Sequence, residues 1–239
     1  MRFEELNWFD IEKYLQDDDR MMLVIGACEQ HGYLSQTTDV LIPQALADAA
    51  SQRSGVLVAP SINFGSSPYF LSYPGTLSLR LSTLMDLVED ILRSAHGQGF
   101  RQVLVLNGHG GNDGVRSKLY ELSNQLPGLK LAWYAWWQSH SVQAIAEKHE
   151  LKPAHANWLE AFPFTLVSDL PAGNKVPPHV EGILGADETK TVYGDGMFGG
   201  AYQTDQSVMD EIFATAVEDV LQLLKFDQRE ETAKVSFPS

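Results

Sequence analysis

Met22-Leu-Val-Ile-Gly-Ala-Cys-Glu29-Gln-His31-Gly32 decides how this chain is read. An apolar run of strand type stops there, and a carboxylate and an imidazole follow two positions apart just past its end. Continued extended backbone, with its period of two, sets Glu29 and His31 on one side. Asp39 stands at the far end of the polar loop, within reach of both. Parallel sheets gather ligands beyond the carboxyl ends of their strands. A Glu, His and Asp set there suits a metal or an acid–base pair. The same residues also fit a polar loop with a satisfied imidazole and Asp39 capping the next helix. This stretch alone leaves both readings open.

A second stretch, Asn107-Gly-His109-Gly-Gly-Asn112, follows the buried strand Gln102–Leu106. Its glycines invite a dinucleotide fingerprint, but the sixth position of that pattern is Asp113, and an imidazole would sit where a pyrophosphate must approach the backbone. The better account puts His109 at a strand's C-terminal end, between glycines that let the chain turn sharply. Two strands then deliver Glu29, His31, Asp39 and His109 to one sheet edge.

Outward from these two stretches the chain alternates strands and helices. Residues 3–19 read as a short amphipathic helix with Phe9, Ile11, Tyr14 and Leu15 inward. Met21–Gly26 is the first strand, apolar throughout as for a strand covered on both faces. A helix runs from Leu41 to about Arg53, with Pro43 in its first turn, and Gly55–Ala59 is the second strand. Residues 60–77 form a long Gly-, Ser-, Pro- and aromatic-rich loop, read as a pocket wall because loops of this length in compact domains are usually functional. A helix built on Leu84, Leu87, Val88, Ile91, Leu92 and Ala95 stops near Gly97 and Gly99. After the His109 loop come a helix over 113–125 and a strand over 130–134. Pro153 suits an early helix position before His155. Residues 163–178 read as irregular, 194–200 as a glycine loop, and 205–225 as the final amphipathic helix. The tail beyond Asp227 has little to bury. This order predicts an α/β fold with a mostly parallel sheet and helices on both faces. No linker divides it, so residues 1–239 are expected to form one domain.

Composition narrows the function. The chain carries 17 basic and 31 acidic residues, a formal charge of −14. That argues against nucleic acid or an anionic membrane as partner, since both need a basic footprint. One cysteine, Cys28, excludes an internal disulfide and a Cys-rich zinc site; it is read as a small packed residue. No signal-peptide pattern opens the sequence and no apolar stretch reaches membrane-span length, so the cytoplasm is expected. His96, His140, His149 and His179 are read as surface or packing residues, and Trp133, Trp136 and Trp137 as core, interface or pocket wall.

With these motifs in hand, the sequence resembles the creatininase family of metal amidohydrolases. The family's Glu-Gln-His-Gly segment appears as Glu29–Gly32 and closes on Thr38-Asp39. Its Tyr-Pro-Gly-Thr-x-Ser segment is Tyr73–Ser78, its Asn-Gly-His-Gly-Gly-Asn loop is 107–112, and its His-Ala-x-x-x-Glu is His155–Glu160. The likeness runs over roughly residues 20–225, with the motifs in family order. It implies a three-layer αβα fold, two divalent metals per subunit (zinc first, manganese or iron otherwise), a small-molecule amide substrate and a homo-oligomer, often a hexamer. Carried over residue by residue, it implies that Glu29, Asp39 and His109 hold one metal and His31 and Asp39 the other, with Asp39 bridging. Creatininase adds a Glu where this chain has Gly111, so Glu160 is the candidate for that missing ligand. His155 matches the proton-transfer histidine. On an ideal helix, positions five apart differ by about 140°, so His155 and Glu160 are not both expected to face the site from a regular helix.

The chain departs from the family at Tyr33-Leu34-Ser35, in a loop to Asp39 one residue shorter, at Phe70 in place of a histidine, and at Ala154 in place of a glutamate. The expectation is a kept metal core and an altered pocket that disfavours creatinine. Metal-assisted cleavage of a linear or cyclic amide is expected; the rivals are a formamide or peptide hydrolase, and an inactive metal-bound oligomer.

Overall fold

The computed structural model describes residues 1–226; the stretch beyond Asp227, read as having little to bury, lies outside the described residues. In chain order the elements are α1 (Trp8–Tyr14), β1 (Arg20–Ile25), α2 (Thr38–Ser54), β2 (Leu57–Val58), α3 (Leu81–Gln98), β3 (Gln102–Asn107), α4 (Val115–Gln125), β4 (Lys130–Ala135), α5 (His140–Lys148), β5 (Asn174–Lys175), α6 (Ala186–Tyr193), β6 (Gly200–Ala201) and α7 (Gln206–Leu223).

β1 to β4 form a parallel sheet in the order β2-β1-β3-β4. Alternation along the strands builds two cores. Met22, Val24, Leu104, Leu106, Ala132 and Tyr134 face one side, with Ile42, Leu46, Ile145, Ile212 and Val220 of α2, α5 and α7. Met21, Leu23, Ile25, Val103 and Val105 face the other, with Leu84, Val88, Leu92, Leu119 and Leu122 of α3 and α4. The three-layer αβα arrangement is as expected. Met22 to Ile25 are wholly buried. At about 1.5–3 kcal/mol per fully buried large apolar side chain, β1 is held from both faces, and so is the start of the loop that leaves it.

The strand order carries the functional consequence. From β1 the chain crosses to β2 on one side, and from β3 it crosses to β4 on the other. The crevice beyond the carboxyl ends of β1 and β3 is therefore the switch point of the sheet, where α/β folds bind ligands.

Several boundaries differ from the sequence expectation. The first helix does not span 3–19. A 3-10 turn covers Phe3–Glu5, and α1 starts after Asn7, whose side chain accepts from the Phe9 N–H at 2.9 Å. Phe9 lies about 200° around the helix from Ile11 at ~100° per residue; it is exposed and stacks on Trp8 with ring centroids 3.6 Å apart. α2 begins at Thr38 rather than Leu41, so Pro43 falls inside it. Pro43 has no N–H for the carbonyl of Asp39, and the chain turns this to use. Gly26 and Gly108 pack so closely on that carbonyl that a Cβ would lie 2.6 Å and 1.8 Å from its oxygen. The expected helix at Pro153 does not form: the segment turns at Ala156, with φ 58°, into a 3-10 turn at Trp158–Glu160. α6 and the short antiparallel β5–β6 ribbon were not anticipated.

Candidate metal centre

The β1–α2 loop brings Glu29 and His31 into the switch-point crevice, each only 1% exposed. The earlier start of α2 places Asp39 in its first turn, where the helix dipole favours a carboxylate. Thr37 is the N-cap position and the Asp39 side chain caps nothing, so the helix-cap reading of Asp39 is set aside. His109 follows β3. Asn107 Oδ1 accepts its N–H at 3.1 Å, and the Asn107 amide donates to its carbonyl at 2.7 Å. Asn112 donates to Asn107 and to the Gly26 carbonyl, tying the two strand ends together.

Each imidazole is oriented by a backbone carbonyl, as ligating histidines usually are. His31 Nδ1 lies 3.3 Å from the Glu29 carbonyl, and its Nε2 faces Asp39 Oδ1 at 3.0 Å and Glu160 Oε2 at 3.9 Å. His109 Nε2 lies 2.9 Å from the Ser66 carbonyl, and its Nδ1 faces Asp39 Oδ2 at 2.9 Å and Glu29 Oε1 at 3.4 Å. Asp39 thus presents one oxygen to each histidine. Glu29, Asp39 and His109 form one compact donor group, and His31, Asp39 and Glu160 a second that shares Asp39; His155 stands within the same reach of Glu29 and His31.

The left-handed turn at Ala156 folds the chain so that His155 and Glu160 both face the crevice. The objection from a regular helix falls because there is no helix. The Ala156 N–H donates to Glu160 Oε2 at 2.6 Å and aims that carboxylate inward. At Gly111, the place of the extra family ligand, a Cβ would lie 2.0 Å from the Ser66 carbonyl oxygen and 2.5 Å from His109 Nε2. No side chain fits there, and the carboxylate of Glu160 enters from another segment.

Electrostatics match a set built for cations. Burial pulls the His31 imidazole down, but Asp39, Glu160 and Glu29 outweigh it and raise it to about 10. His109 is likewise depressed by burial and lifted well above its ordinary value by Glu29 and Asp39. Burial pushes Asp39 up, yet His31 and His109 hold it below the usual carboxylate range. Glu160 is raised to about 7, chiefly by burial. His155 is held well below its ordinary value by burial and by His31. Glu29 Oε2, His31 Nε2 and Asp39 Oδ2 are buried without a hydrogen-bond partner, since the close approaches are not aligned as hydrogen bonds. Two ligands on one ion at ~2 Å bonds stand about 3.3 Å apart, in the middle of the separations observed. The donor set fits two divalent ions.

A cavity of about 810 Å³ opens above the cluster. Its floor includes Glu29, Asp39, His109 and Glu160; its walls are mainly apolar, with Tyr69, Phe70, Trp137, Ile183, Tyr193 and Phe198. The 60–77 loop supplies one wall through Tyr69 and Phe70, as expected. Trp137 lines the cavity, whereas Trp136 belongs to the core. Tyr33 was expected beside the metal loop as part of the altered pocket; it does not line the cavity but meets Tyr202 edge-on at 5.8 Å. Cys28 is partly exposed and lies 3.5 Å from the Gly75 carbonyl. His96, His140, His149 and His179 are not among the lining residues. Sequence reasoning missed Gln30. Its side chain meets His155, with its amide nitrogen 2.9 Å from His155 Nε2.

Fold and donor set define a class, α/β proteins that gather carboxylates and imidazoles at a sheet switch point. Within it, this chain belongs to the creatininase family, whose profile, described as creatinine amidohydrolase, matches residues 4–224. The chain is 35% identical over 157 residues to the creatinine amidohydrolase of Pseudomonas putida, covering 60% of each. It is 31% identical over 169 residues to the mycofactocin precursor peptide peptidase of Mycobacterium ulcerans, covering 66% of this chain and 64% of that one. Over 147 residues it is 25% identical to the 3-dehydro-scyllo-inosose hydrolase of Thermotoga maritima, covering 59% of this chain and 46% of the relative. Each match thus spans less than two thirds of the relative's own length. A crystal structure of creatinine amidohydrolase superposes with a TM-score of 0.76 at 23% identity, covering 95% of this chain and 98% of the other. A manganese form of creatininase gives 0.72 at 24%, covering 96% and 98%. At these identities the structural likeness is one of fold.

Proposed function

We propose that this protein is a two-metal amide hydrolase with a pocket for amides that carry an apolar or aromatic part. The observation that carries the reading is Asp39, a buried carboxylate whose two oxygens face two different imidazoles and which belongs to both donor groups. Glu29, Asp39 and His109 would hold one ion, and His31, Asp39 and Glu160 the other, with Asp39 between them. A bound divalent ion supplies Lewis acidity and lowers the pKa of water from 15.7 to about 7. Zinc is the first choice, with manganese or iron also suited to a carboxylate–imidazole set; the manganese form of a creatininase is in keeping with this.

The chain's own residues supply the rest. His155 Nδ1 lies 3.7 Å from Glu29 Oε1 at the cluster's edge. Held neutral by burial, it is placed to accept a proton there and return it to a leaving nitrogen. Phe70 stacks on the His155 ring at 4.7 Å and Phe198 flanks it at 4.9 Å, which keeps water from its faces. The aromatic walls bind an apolar acyl or aryl group and leave few polar partners for a small polar ring. Creatinine, polar throughout, is therefore a poor substrate. A polar group that finds no partner can cost several orders of magnitude in discrimination.

A peptide amide is the second reading, favoured by the peptidase relative and by a cavity large enough for several side chains. Assembly as a homo-oligomer, in the hexameric form the family resemblance implies, is part of the proposal. The test is metal analysis of the purified protein, then turnover of creatinine, acyl anilides and short peptides with and without chelator. Chelator-sensitive cleavage of anilides above creatinine supports the reading. Efficient creatinine turnover overturns the pocket argument, and no chelator-sensitive turnover of any amide overturns the reaction.

A further inference from the structure

The run Gly194-Asp-Gly-Met-Phe-Gly-Gly200 touches the proposed proton-transfer residue from behind. Its glycines at 194, 196, 199 and 200 take φ values of 60°, 92°, 134° and 88°, all in the half of φ space that L side chains avoid. Such a backbone has little stiffness of its own, and ordering it is entropically costly. One ammonium gathers its outer side. Lys175 Nζ donates to the carbonyls of Tyr193 at 2.5 Å and Met197 at 2.6 Å, and pairs with the Asp195 carboxylate. An ammonium has three protons, and all three find acceptors within five residues of one loop. Asp195 is itself held by the Tyr202 hydroxyl at 2.8 Å and the Met197 N–H at 3.2 Å. The β5–β6 pairing sets Lys175 opposite Gly200, closing the loop at its far end.

The inner side of this loop bears on His155. The Gly196 carbonyl accepts from the Gln30 amide at 3.1 Å, and a Cβ at 196 would lie 1.7 Å from Gln30 Oε1. Gln30 Oε1 accepts the Gly32 N–H at 3.1 Å, so the amide's orientation follows from its partners. The Gln30 amide nitrogen and backbone carbonyl lie 2.9 Å and 3.0 Å from His155 Nε2. With Nε2 engaged by Gln30, Nδ1 is the atom turned to the cluster. The Phe198 N–H donates to the His155 carbonyl at 3.0 Å, and Tyr193 stacks on Phe198 at 4.0 Å.

We infer that Lys175 is a positioning residue for His155, fixing the imidazole through the 194–200 loop and the Gln30 amide so that Nδ1 faces the reacting group. The inference rests on the reading of His155 as the proton-transfer residue. The experiment uses the full-length, zinc-reconstituted protein with Lys175→Met and Lys175→Arg. It measures zinc content, kcat and KM on an acyl anilide, and the imidazole ¹⁵N–¹H spectrum of His155. Lys175→Met is expected to keep its zinc and to lose about 10²-fold in kcat, as for a displacement of ~1 Å at a distance from the chemistry; KM on the anilide should rise as well, since the same loop carries the pocket walls Tyr193 and Phe198. The ring ¹⁵N signals of His155 should shift or broaden. Lys175→Arg should not restore either, because a planar fork does not replace three converging ammonium protons. Should Lys175→Met not fold, Asp195→Asn, which leaves the ammonium its two carbonyls, carries the same test. An unchanged His155 spectrum overturns the inference whatever happens to kcat. If the unmodified protein cleaves no amide, the reading of the reaction fails, and the His155 spectrum of the variants alone decides this inference.

Discussion

Replacing Asp39 by Asn changes one oxygen for one nitrogen and leaves the shape of the side chain. If Asp39 bridges two ions, that change reaches both. Its Oδ1 lies 3.0 Å from His31 Nε2 and its Oδ2 2.9 Å from His109 Nδ1. Each three-residue donor group therefore loses one of three protein ligands' full strength, and both lose a shared negative charge. Losing a partner that only orients a ligand costs about 10–100-fold in metal affinity. Weakening the bridge should cost at least ~100-fold at each site, about 2.8 kcal/mol at 1.4 kcal/mol per tenfold. His31→Ala, by contrast, removes a ligand from one group and leaves Glu29, Asp39 and His109 intact. The assay is zinc per subunit after dialysis against a fixed free zinc concentration, with calorimetric titration of the stripped proteins. Asp39→Asn should retain close to none, and His31→Ala close to one. Two ions retained by Asp39→Asn, or equal losses in the two variants, would refute the bridging role. A folded-state check by thermal melting belongs with it, because a buried carboxylate between two imidazoles also matters to the metal-free fold.

Gly111→Ala should destabilise the protein by about 1–3 kcal/mol, the usual cost of overpacking, because its Cβ would strike the fixed Ser66 carbonyl at 2.0 Å; melting midpoints measure this, and an unchanged midpoint would mean that the loop gives way freely. Between about pH 7 and 10 metal-free protein should lose stability as pH rises. Both His31, raised to about 10 from 6.5, and Glu160, raised to about 7 from 4.5, favour the folded state when protonated, so that contribution is whole at low pH and is lost through pH 7 and then 10. Divalent metal must displace those protons, so its affinity should climb over the same window and its binding should acidify a weakly buffered solution at pH 8; affinity independent of pH would show that the imidazoles are not ligands. Phe70→His, which returns a polar group against the His155 ring, should narrow the gap between anilide and creatinine turnover, read as the ratio of their kcat/KM values.

Much of this site could be read from the sequence because strand ends are legible. β1 and β3 are apolar on both faces, which marks them as central, and the residues just beyond them have one place to go. Glu29, His31 and His109 follow from that alone. Asp39 was legible as a residue and misread as a position: the sequence puts Pro43 in a first turn, but the crevice needs a helix that starts earlier, with the Asp39 carbonyl left to two close-packed glycines. Local propensity has no term for that tertiary demand.

Glu160 and His155 show the same limit from the other side. Five-residue spacing argues against a shared face on a helix, and that argument is sound for a helix. The chain avoids it with one left-handed residue, Ala156, whose φ of 58° carries a cost of order 1–3 kcal/mol for a non-glycine residue. Nothing in the letters His-Ala-Asn-Trp-Leu-Glu predicts that strain. The neighbours that sustain it come from elsewhere: the Asn157 amide donates to the carbonyls of Lys152 and Gly199, and the Ala156 N–H donates to Glu160 itself. Strain kept in place by such bonds belongs where a side chain must point one way, and here it points two: an imidazole towards Glu29 and a carboxylate towards His31 and Asp39. A fold that only needed stability would relax Ala156 into a regular turn and let one of the two face solvent.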